Sequence, residues 1–102
     1  MTARVVLTTV GAGFDAAALA RALVEQRVAA CVSILPEVRS IYRWKNAVED
    51  DREQMLVIKT TAERIDALRE ALFAAHPYEV PEFVVLDADA QGPYADWLLD
   101  SM

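Results

Sequence analysis

Histidine and cysteine are almost absent from this sequence, which has one of each among its 102 residues. Because a disulfide needs two cysteines, Cys31 cannot pair within the chain, and this fits a protein of a reducing compartment. The zinc-binding spacings C-x-x-C and H-E-x-x-H are absent as well. Any metal site must therefore combine the single imidazole, His76, with carboxylates, with the Cys31 thiol or with residues of another subunit.

Basic residues are also scarce, since 10 lysines and arginines stand against 16 aspartates and glutamates and leave a formal net charge of −6. A nucleic-acid-binding protein needs a basic face, so that class is disfavoured. An anionic membrane surface would repel the chain too. No apolar run is long enough for a membrane span or flanked like a signal peptide, and we therefore expect a cytoplasmic protein.

Apolar residues, by contrast, are abundant and make up 55% of the chain. The length fits a single domain over residues 1–102. A domain of this size buries only about two-thirds of its unfolded surface. The excess of apolar residues therefore indicates that some surface is buried against another subunit.

The apolar pattern divides the chain into four strands and three helices. In chain order, strands are predicted over 4–10, 28–45, 51–60 and 82–88, and helices over 16–27, from about 61 to 75, and after Pro93. Asp15 is the predicted cap of the first helix, and Thr60 with Glu63 has the form of a capping box for the second. Pro36 should mark a bulge or an edge. This order predicts an α+β fold, a ferredoxin-like βαββαβ sandwich with a long hairpin between its second and third strands and a short C-terminal helix.

The predicted hairpin between the second and third strands is too long to lie wholly over one small core. In its outer half, strand alternation places Tyr42 and Trp44 on one face. A single domain offers nothing there for them to pack against. We therefore expect both side chains to contact a neighbouring chain, which makes them candidate interface residues of an oligomer.

Two motifs invite a functional interpretation but also have a simpler one. The run from Gly11 to Ala16 fits the dinucleotide pattern G-x-G-x-x-A, and Glu37 lies about twenty residues on. The chain is too short for that domain, and its second strand enters a hairpin where a crossover helix is needed, so a simple loop is favoured. The acidic run Glu49-Asp50-Asp51 could do acid–base chemistry only if it were buried, and a solvated cluster is favoured.

His76 and Cys31 each leave two interpretations open. His76 precedes Pro77, which disfavours helical geometry at the residue before it. It is either a metal ligand, with carboxylates such as Glu53, Glu79 or Glu82, or a residue that ends a helix and bonds to backbone or carboxylate groups. Cys31 is either a small core residue or a thiolate beside a positive charge.

Three further segments of the chain are distinctive: AACVSILPEVRSIYRWKNAVEDDRE, MLVIKTT and HPYEVPE. Together they resemble the CutA family of divalent-cation tolerance proteins. The leading VVLTTV and the terminal YADWL are similar to the family too, so the resemblance covers nearly the whole chain. It implies a ferredoxin-like subunit in a homotrimer that pairs the long hairpins across subunits, similar to the trimeric PII signalling proteins. It also implies a link to copper and other divalent metals.

The resemblance further implies roles for individual residues. His76 matches the family histidine implicated in copper binding, and Glu53 matches a carboxylate associated with it; Cys31, at a different position, is a further candidate metal ligand. Copper-binding members have a cysteine where this chain has Thr8, and some have a histidine where it has Ala75. Because thiolate is the preferred ligand of Cu(I), we expect weaker copper binding here than in those members.

The leading hypothesis is a trimeric protein, not an enzyme, that binds a divalent metal ion such as copper, or a small anion, in clefts between subunits. The predicted cleft residues are Cys31, Lys59, His76, Tyr78 and Glu82, with Lys59 as the anion partner. The alternative is a structural or PII-like signalling trimer that acts through protein partners. A third hypothesis is an enzyme that uses His76 with Glu79 or Glu82 as acid and base.

Overall fold

Four antiparallel strands form one sheet, in which the second strand of the chain lies at one edge and the fourth at the other. The computed structural model describes residues 2–102, with strands β1 (Ala3–Gly11), β2 (Cys31–Trp44), β3 (Ala47–Thr61) and β4 (Val84–Ala88) and helices α1 (Ala16–Glu25), α2 (Ile65–Ala75) and α3 (Gly92–Asp100). The strand order is β2-β3-β1-β4. The βαββαβ succession confirms the predicted ferredoxin-like α+β fold.

The main core lies between one face of the sheet and the helices α1 and α2. Alternate residues of a strand point to opposite faces, and Val6, Val10, Leu56 and Ile58 of β1 and β3 point towards the helices. The helices contribute leucines spaced four residues apart, which places them on one stripe of each helix. These buried leucines are Leu19, Leu23, Leu68 and Leu72.

The predicted Asp15 cap of α1 is confirmed, whereas the predicted Thr60 cap of α2 is wrong. The Asp15 carboxylate accepts a hydrogen bond of 3.1 Å from the Ala18 N–H. Strand β3 instead continues past Thr60, which is buried and donates its hydroxyl to the Val28 carbonyl at 2.8 Å. A 3-10 turn over Ala62–Arg64 then leads into α2. The hydroxyl that the sequence pattern assigns to a helix cap ties β3 to the loop before β2.

Residues 38–53 form a two-stranded arm that projects from the sheet. Strand β1 pairs with β3 only as far as Gly11 opposite Glu53, whereas β2 and β3 stay paired out to Trp44 opposite Ala47. The chain is consequently elongated and measures 44 × 23 × 23 Å. Since a lone two-stranded hairpin is only marginally stable in water, the arm is the least supported part of the sheet.

Backbone geometry shapes the arm at its base and at its tip. A register shift between Leu35 and Val38 confirms the bulge predicted at Pro36. At the tip, Lys45 and Asn46 have φ values of 50° and 68°. Positive φ at both central residues is typical of the two-residue turns that match the twist of paired strands, and asparagine tolerates it well. The turn that links the two strands of the hairpin therefore closes over these two residues.

Helix α3 covers part of the opposite face of the sheet. Ala3 of β1 points to that face and packs with Ala30 and with Leu98 of α3 in a second small cluster. Farther along, the same face carries apolar side chains that stay exposed, and Leu35 and Leu86 are 41% and 45% exposed. An uncovered apolar sheet face of this kind is typical of an interaction surface.

Candidate ligand cleft

A cleft of about 780 Å³ lies between the base of the arm and the segment 76–83, which joins α2 to β4. Strand β4 pairs with β1 only as far as Leu7, so the later residues of β1 have an edge without a strand partner on that side. The segment 76–83 runs beside this edge. One wall of the cleft therefore comes from the sheet and arm, and the other from the segment.

His76 closes α2 and fastens the segment 76–83 to β1. Its backbone N–H makes the last hydrogen bond of the helix, at 2.8 Å, and its φ and ψ of −75° and 135° end the helical geometry, as expected before a proline. The side chain is buried, with the residue 9% exposed. The ring nitrogen Nε2 lies 2.9 Å from the Thr9 carbonyl oxygen and 3.3 Å from the Thr8 hydroxyl, and Nδ1 accepts from the Tyr78 N–H at 3.1 Å.

The two backbone partners fix the protonation state of the ring. A backbone N–H can only donate, so Nδ1 must present its lone pair to Tyr78, and a carbonyl oxygen can only accept, so Nε2 must carry the proton that faces Thr9. His76 is therefore neutral and protonated on Nε2. Burial lowers the pKa of His76 below its usual 6.5 and outweighs the Thr9 carbonyl and the Glu53 charge, which both raise it. Neither nitrogen can bind a metal ion unless one of these hydrogen bonds opens.

Glu53 and Glu82 place two carboxylates in the cleft beside Tyr78. Glu53 is only 5% exposed, and its Oε2 accepts a hydrogen bond of 2.6 Å from the Tyr78 hydroxyl. Burial, and then the bond to Glu53, raises the pKa of Tyr78, so the hydroxyl stays protonated as a donor. Burial, and then the Glu53 charge, also raises the pKa of Glu82. The two carboxylates therefore repel each other, and a cation between them would relieve that repulsion.

The arm supplies an aromatic wall. Tyr42 and Trp44 share one face of the arm, as predicted, and both line the cleft. The Tyr42 hydroxyl donates to the Asp51 carboxylate, and this bond, followed by burial and nearby carboxylate charges, raises the pKa of Tyr42 to about 12. At the tip of the arm, Lys45 Nζ lies 5.4 Å from the centroid of the Trp44 ring and 4.0 Å from a Glu79 carboxylate oxygen. The cleft thus combines aromatic rings with carboxylates.

Cys31 and Lys59 lie at the other end of the sheet, away from the cleft. They are opposite each other on β2 and β3, and Lys59 is six positions along β3 from Glu53, or about 20 Å at the usual strand rise. The Lys59 ammonium donates to the Ser33 hydroxyl at 2.6 Å and lies 3.8 Å from the Cys31 sulfur. One chain therefore does not bring the predicted ligands Cys31, Glu53 and His76 together. Within residues 2–102, no three such side chains are arranged to hold a metal ion.

The acidic run 49–51, for which the sequence favoured a single solvated cluster, is divided between the two faces of the arm by strand alternation. Asp50 pairs with Arg39 through contacts of 2.8 and 2.6 Å, and this bond lowers the pKa of Asp50. Asp51 has the same parity as Glu53 and lines the cleft. The period of two in a strand is the signal that could have assigned Asp51 to the cleft from the sequence.

The glycine-containing run after β1 is a loop, as favoured from the sequence. The Gln54 amide nitrogen donates to the Gly11 and Phe14 carbonyls at 2.9 and 2.8 Å and so holds the loop against β3. The strand that follows α1 enters the hairpin directly. A dinucleotide-binding unit would need a crossover helix at that point.

Residues 4–101 match the family described as CutA1 divalent ion tolerance protein. The chain belongs to this family. It is 47% identical over 98 residues to the divalent-cation tolerance protein CutA of Thermus thermophilus, with 95% of each chain covered. It is 45% identical over 82 residues to protein CutA of Mus musculus, covering 78% of this chain and 46% of the mouse protein. The structure of CutA from Synechococcus elongatus PCC7942 matches it with a TM-score of 0.92 and 44% identity, over 98% of this chain and 89% of that one.

Membership of the CutA1 family links the chain to tolerance of divalent ions. The chain spans most of the Thermus relative but less than half of the mouse protein. No helix among residues 2–102 is long and apolar enough to cross a membrane. Because a plant member of the family is named as chloroplastic, the cytoplasmic location stays a prediction.

Proposed function

We propose that this protein is a non-enzymatic homotrimer that binds a divalent cation in the cleft between the arm and the segment 76–83, and so serves divalent ion tolerance. The observation that carries the proposal is that Glu53 and Glu82 line the same cleft. Asp51 and Glu79 also line it, and no lysine or arginine does. This composition favours a cation over an anion at this site.

The ligand chemistry of the cleft favours an ion that accepts oxygen ligands. Carboxylates suit Mg²⁺, Ca²⁺ and Mn²⁺, whereas imidazole suits copper and zinc. Copper is the ion implied by the family resemblance, but its binding to His76 requires the Nδ1 lone pair to leave the Tyr78 N–H. Thr8 and Ala75 stand where copper-binding members have further ligands. We therefore expect copper to bind only after the segment 76–83 rearranges.

The trimer is argued from apolar surface that a single chain leaves exposed. Ile41 and Val48 of the arm are 66% and 64% exposed, and the sheet face beyond α3 is apolar and open as well. An arm of only two strands gains stability from a neighbouring chain. We propose that Tyr42 and Trp44 meet that neighbour at the rim of the cleft, which then lies between subunits.

Acid–base catalysis by His76 is disfavoured by its hydrogen bonds. A general base needs a nitrogen that can reach the proton of a substrate. Both ring nitrogens of His76 instead face backbone groups at 2.9 and 3.1 Å. Glu79 and Glu82 therefore lack a free imidazole partner, which favours binding over turnover.

Calorimetric titration with Mn²⁺, Zn²⁺ and Cu²⁺ tests the proposal, on protein whose oligomeric mass is first measured by light scattering. We expect a mass of three chains of 11.3 kDa and saturable binding of Mn²⁺ that is lost in Glu53→Gln and Glu82→Gln. Asp100→Asn, which removes an exposed carboxylate from the end of α3, is the matched control and should bind normally. Binding that survives both cleft substitutions would place the ion elsewhere.

A second candidate function is a signalling trimer that binds a small anion at Lys59 and acts through protein partners. The observation that favours it is the Lys59 ammonium beside the Ser33 hydroxyl, at the end of the sheet away from the cleft. A cation and a hydroxyl together are typical anion ligands. Titration with inorganic phosphate distinguishes the two candidates, because only the second predicts binding that Lys59→Met abolishes and Glu53→Gln leaves intact.

A further inference from the structure

We propose that Tyr78 determines the size selectivity of the cleft for divalent cations, because its hydroxyl occupies one oxygen of Glu53 and leaves the other to the ion. This inference rests on the proposed cation site and adds which ions that site prefers. The contact between the two side chains lies within one chain, at the base of the arm. It uses neither Tyr42 nor Trp44, which the proposed trimer covers, and we therefore expect it to persist in the oligomer.

Glu53 presents a carboxylate to the cleft that the chain itself uses only in part. The residue is 5% exposed and lines the cleft. Within residues 2–102, the one hydrogen bond to its carboxylate comes from the Tyr78 hydroxyl, which lies 2.6 Å from Oε2. No fully buried side-chain oxygen in that part of the chain lacks a partner, so Oε1 reaches the open space of the cleft. A buried charge needs a partner, and Oε1 is the atom that a cation can bind.

The Tyr78 side chain is held firmly in the position from which its hydroxyl reaches Glu53. Its backbone N–H donates to Nδ1 of His76 at 3.1 Å, and the centroids of the two rings are 5.0 Å apart. The hydroxyl lies over Gly11, where a β-carbon would be 3.8 Å from it. Gly11 and Glu53 form the last pair between β1 and β3. The end of this strand pair therefore positions the donor and the acceptor together.

The hydroxyl directs an incoming ion to a single carboxylate oxygen. Its hydrogen faces Oε2 of Glu53, and the positive end of an O–H bond repels a cation that approaches the same oxygen. Burial, and then the hydrogen bond to Glu53, raises the pKa of Tyr78, so the proton stays in place at neutral pH. A cation in the cleft therefore binds Glu53 through Oε1 alone.

Coordination by one oxygen favours small ions over Ca²⁺. A calcium ion takes about six to eight oxygen ligands and often binds both oxygens of a carboxylate, whereas Mg²⁺ requires a compact octahedral arrangement. Mn²⁺ is typically octahedral as well. If the Tyr78 hydroxyl were removed, both oxygens of Glu53 would become available. This change would strengthen the binding of Ca²⁺ more than that of Mn²⁺.

Calorimetric titration of the oligomer with Mn²⁺ and with Ca²⁺ tests the inference on Tyr78→Phe, which loses the hydroxyl and keeps the ring. We expect the ratio of Ca²⁺ affinity to Mn²⁺ affinity to rise by about tenfold, because a hydrogen bond to a charged group no longer opposes binding at Oε2. Tyr94→Phe removes a hydroxyl from α3, outside the cleft, and should leave the ratio unchanged. The ratio is informative because a loosened segment 76–83 would weaken the binding of both ions together.

Infrared spectroscopy of the carboxylate stretching bands gives a second readout. The separation between the antisymmetric and symmetric bands is smaller when both oxygens of a carboxylate bind an ion than when one does. We expect Ca²⁺ to produce a new band pair of small separation in Tyr78→Phe that is absent from the wild type. Tyr78→Leu also lacks the hydroxyl and should behave in the same way, so it keeps the test valid if light scattering shows that Tyr78→Phe does not assemble.

An unchanged affinity ratio in Tyr78→Phe, an equal change in Tyr94→Phe, or the same Ca²⁺-dependent bands in the wild type would each overturn the inference. Titration of the wild type with Mn²⁺ separates the two proposals. Binding of Mn²⁺ that Glu53→Gln removes, together with an unchanged ratio in Tyr78→Phe, contradicts only this inference. Absence of Mn²⁺ binding from the wild type contradicts the proposed function, and the inference then fails with it.

Discussion

At the scale of the residue, the backbone groups around His76 determine the protonation state and the role of its ring. The proline that follows it ends α2, and the freed ring then takes one donor and one acceptor from the backbone. The sequence predicted the helix end and left the role of the ring open, because the partner groups on β1 are 67 and 68 residues away in the chain. Only the fold decides in favour of a neutral histidine bonded to backbone.

The pH dependence of stability tests this assignment. The pKa of His76 is lowered in the folded state, so the unfolded chain takes up the proton first and unfolding becomes easier as the pH falls. The contribution of His76 is complete above about pH 6.5 and is lost as the pH drops through its lower folded pKa. We expect His76→Gln to remove this loss in thermal unfolding measured between about pH 5 and 8. An unchanged pH slope in the variant would contradict the assignment.

Arg27 has a left-handed backbone conformation that is usually adopted by glycine. It ends α1 with a φ of 60°, and the Val28 N–H then bonds to the Leu23 carbonyl at 3.2 Å. This helix ending usually has glycine, because other residues lose free energy in the left-handed region. We expect Arg27→Gly to raise the free energy of unfolding in urea by about 1 kcal/mol.

Arg21→Gly serves as the control for the Arg27 substitution. It places glycine within α1, where the backbone is helical, and should lower the free energy of unfolding by about 1 kcal/mol. If both substitutions destabilise the protein to the same extent, the left-handed conformation at Arg27 costs nothing, and the explanation given for it is wrong.

At the scale of the element, local patterns predicted the strands and helices well, because apolar residues repeat about every two residues in a strand and about every 3.6 in a helix. Alternation placed Tyr42 and Trp44 on one face of the arm, and Asp15 capped α1 as expected. The Thr60 capping box failed because β3 runs on past it, and its pairing with β1 outweighs a local preference for a cap. Which strand a segment pairs with is a long-range property, and the local sequence does not contain it.

The arm is the element that the proposed trimer would stabilise most. Trp44 is 36% exposed in one chain, and the proposed trimer covers it. We expect Trp44→Ala to lower the stability of the oligomer by roughly 3–5 kcal/mol if the ring is fully buried there, and to shift the mass measured by light scattering towards the monomer. Trp44→Phe should keep the trimer. An unchanged mass and melting temperature in Trp44→Ala would remove Trp44 from the interface.

At the scale of the whole molecule, the fold brings together residues that are far apart in the sequence. It also separates residues that were predicted to share one site. Glu53, Tyr78 and Glu82 meet in the cleft because the segment 76–83 crosses the unpaired edge of β1. Cys31 stays away from them because β2 begins at the opposite end of the sheet. The sequence and the family resemblance predicted the fold and half of the cleft, but not this separation, which depends on strand register.

The cleft between the arm and the segment 76–83 has an acidic lining. Four carboxylates face a cleft without a lysine or arginine in its walls, in a chain whose net charge is already −6. Burial, and then the charge of Glu53, raises the pKa of Glu82, so a cation in the cleft would favour its charged form. Cation binding should therefore stabilise the fold as well as fill the cleft.

Thermal unfolding with increasing Mn²⁺ tests whether the cleft binds a divalent cation. A ligand that binds only the folded protein adds about 2.7 kcal/mol of stability at one hundred times its dissociation constant. We predict that Mn²⁺ raises the melting temperature of the wild type and of Asp100→Asn, and that Glu53→Gln and Glu82→Gln lose this rise while remaining folded. A rise of equal size in all four proteins, or in none, would contradict a cation site in the cleft.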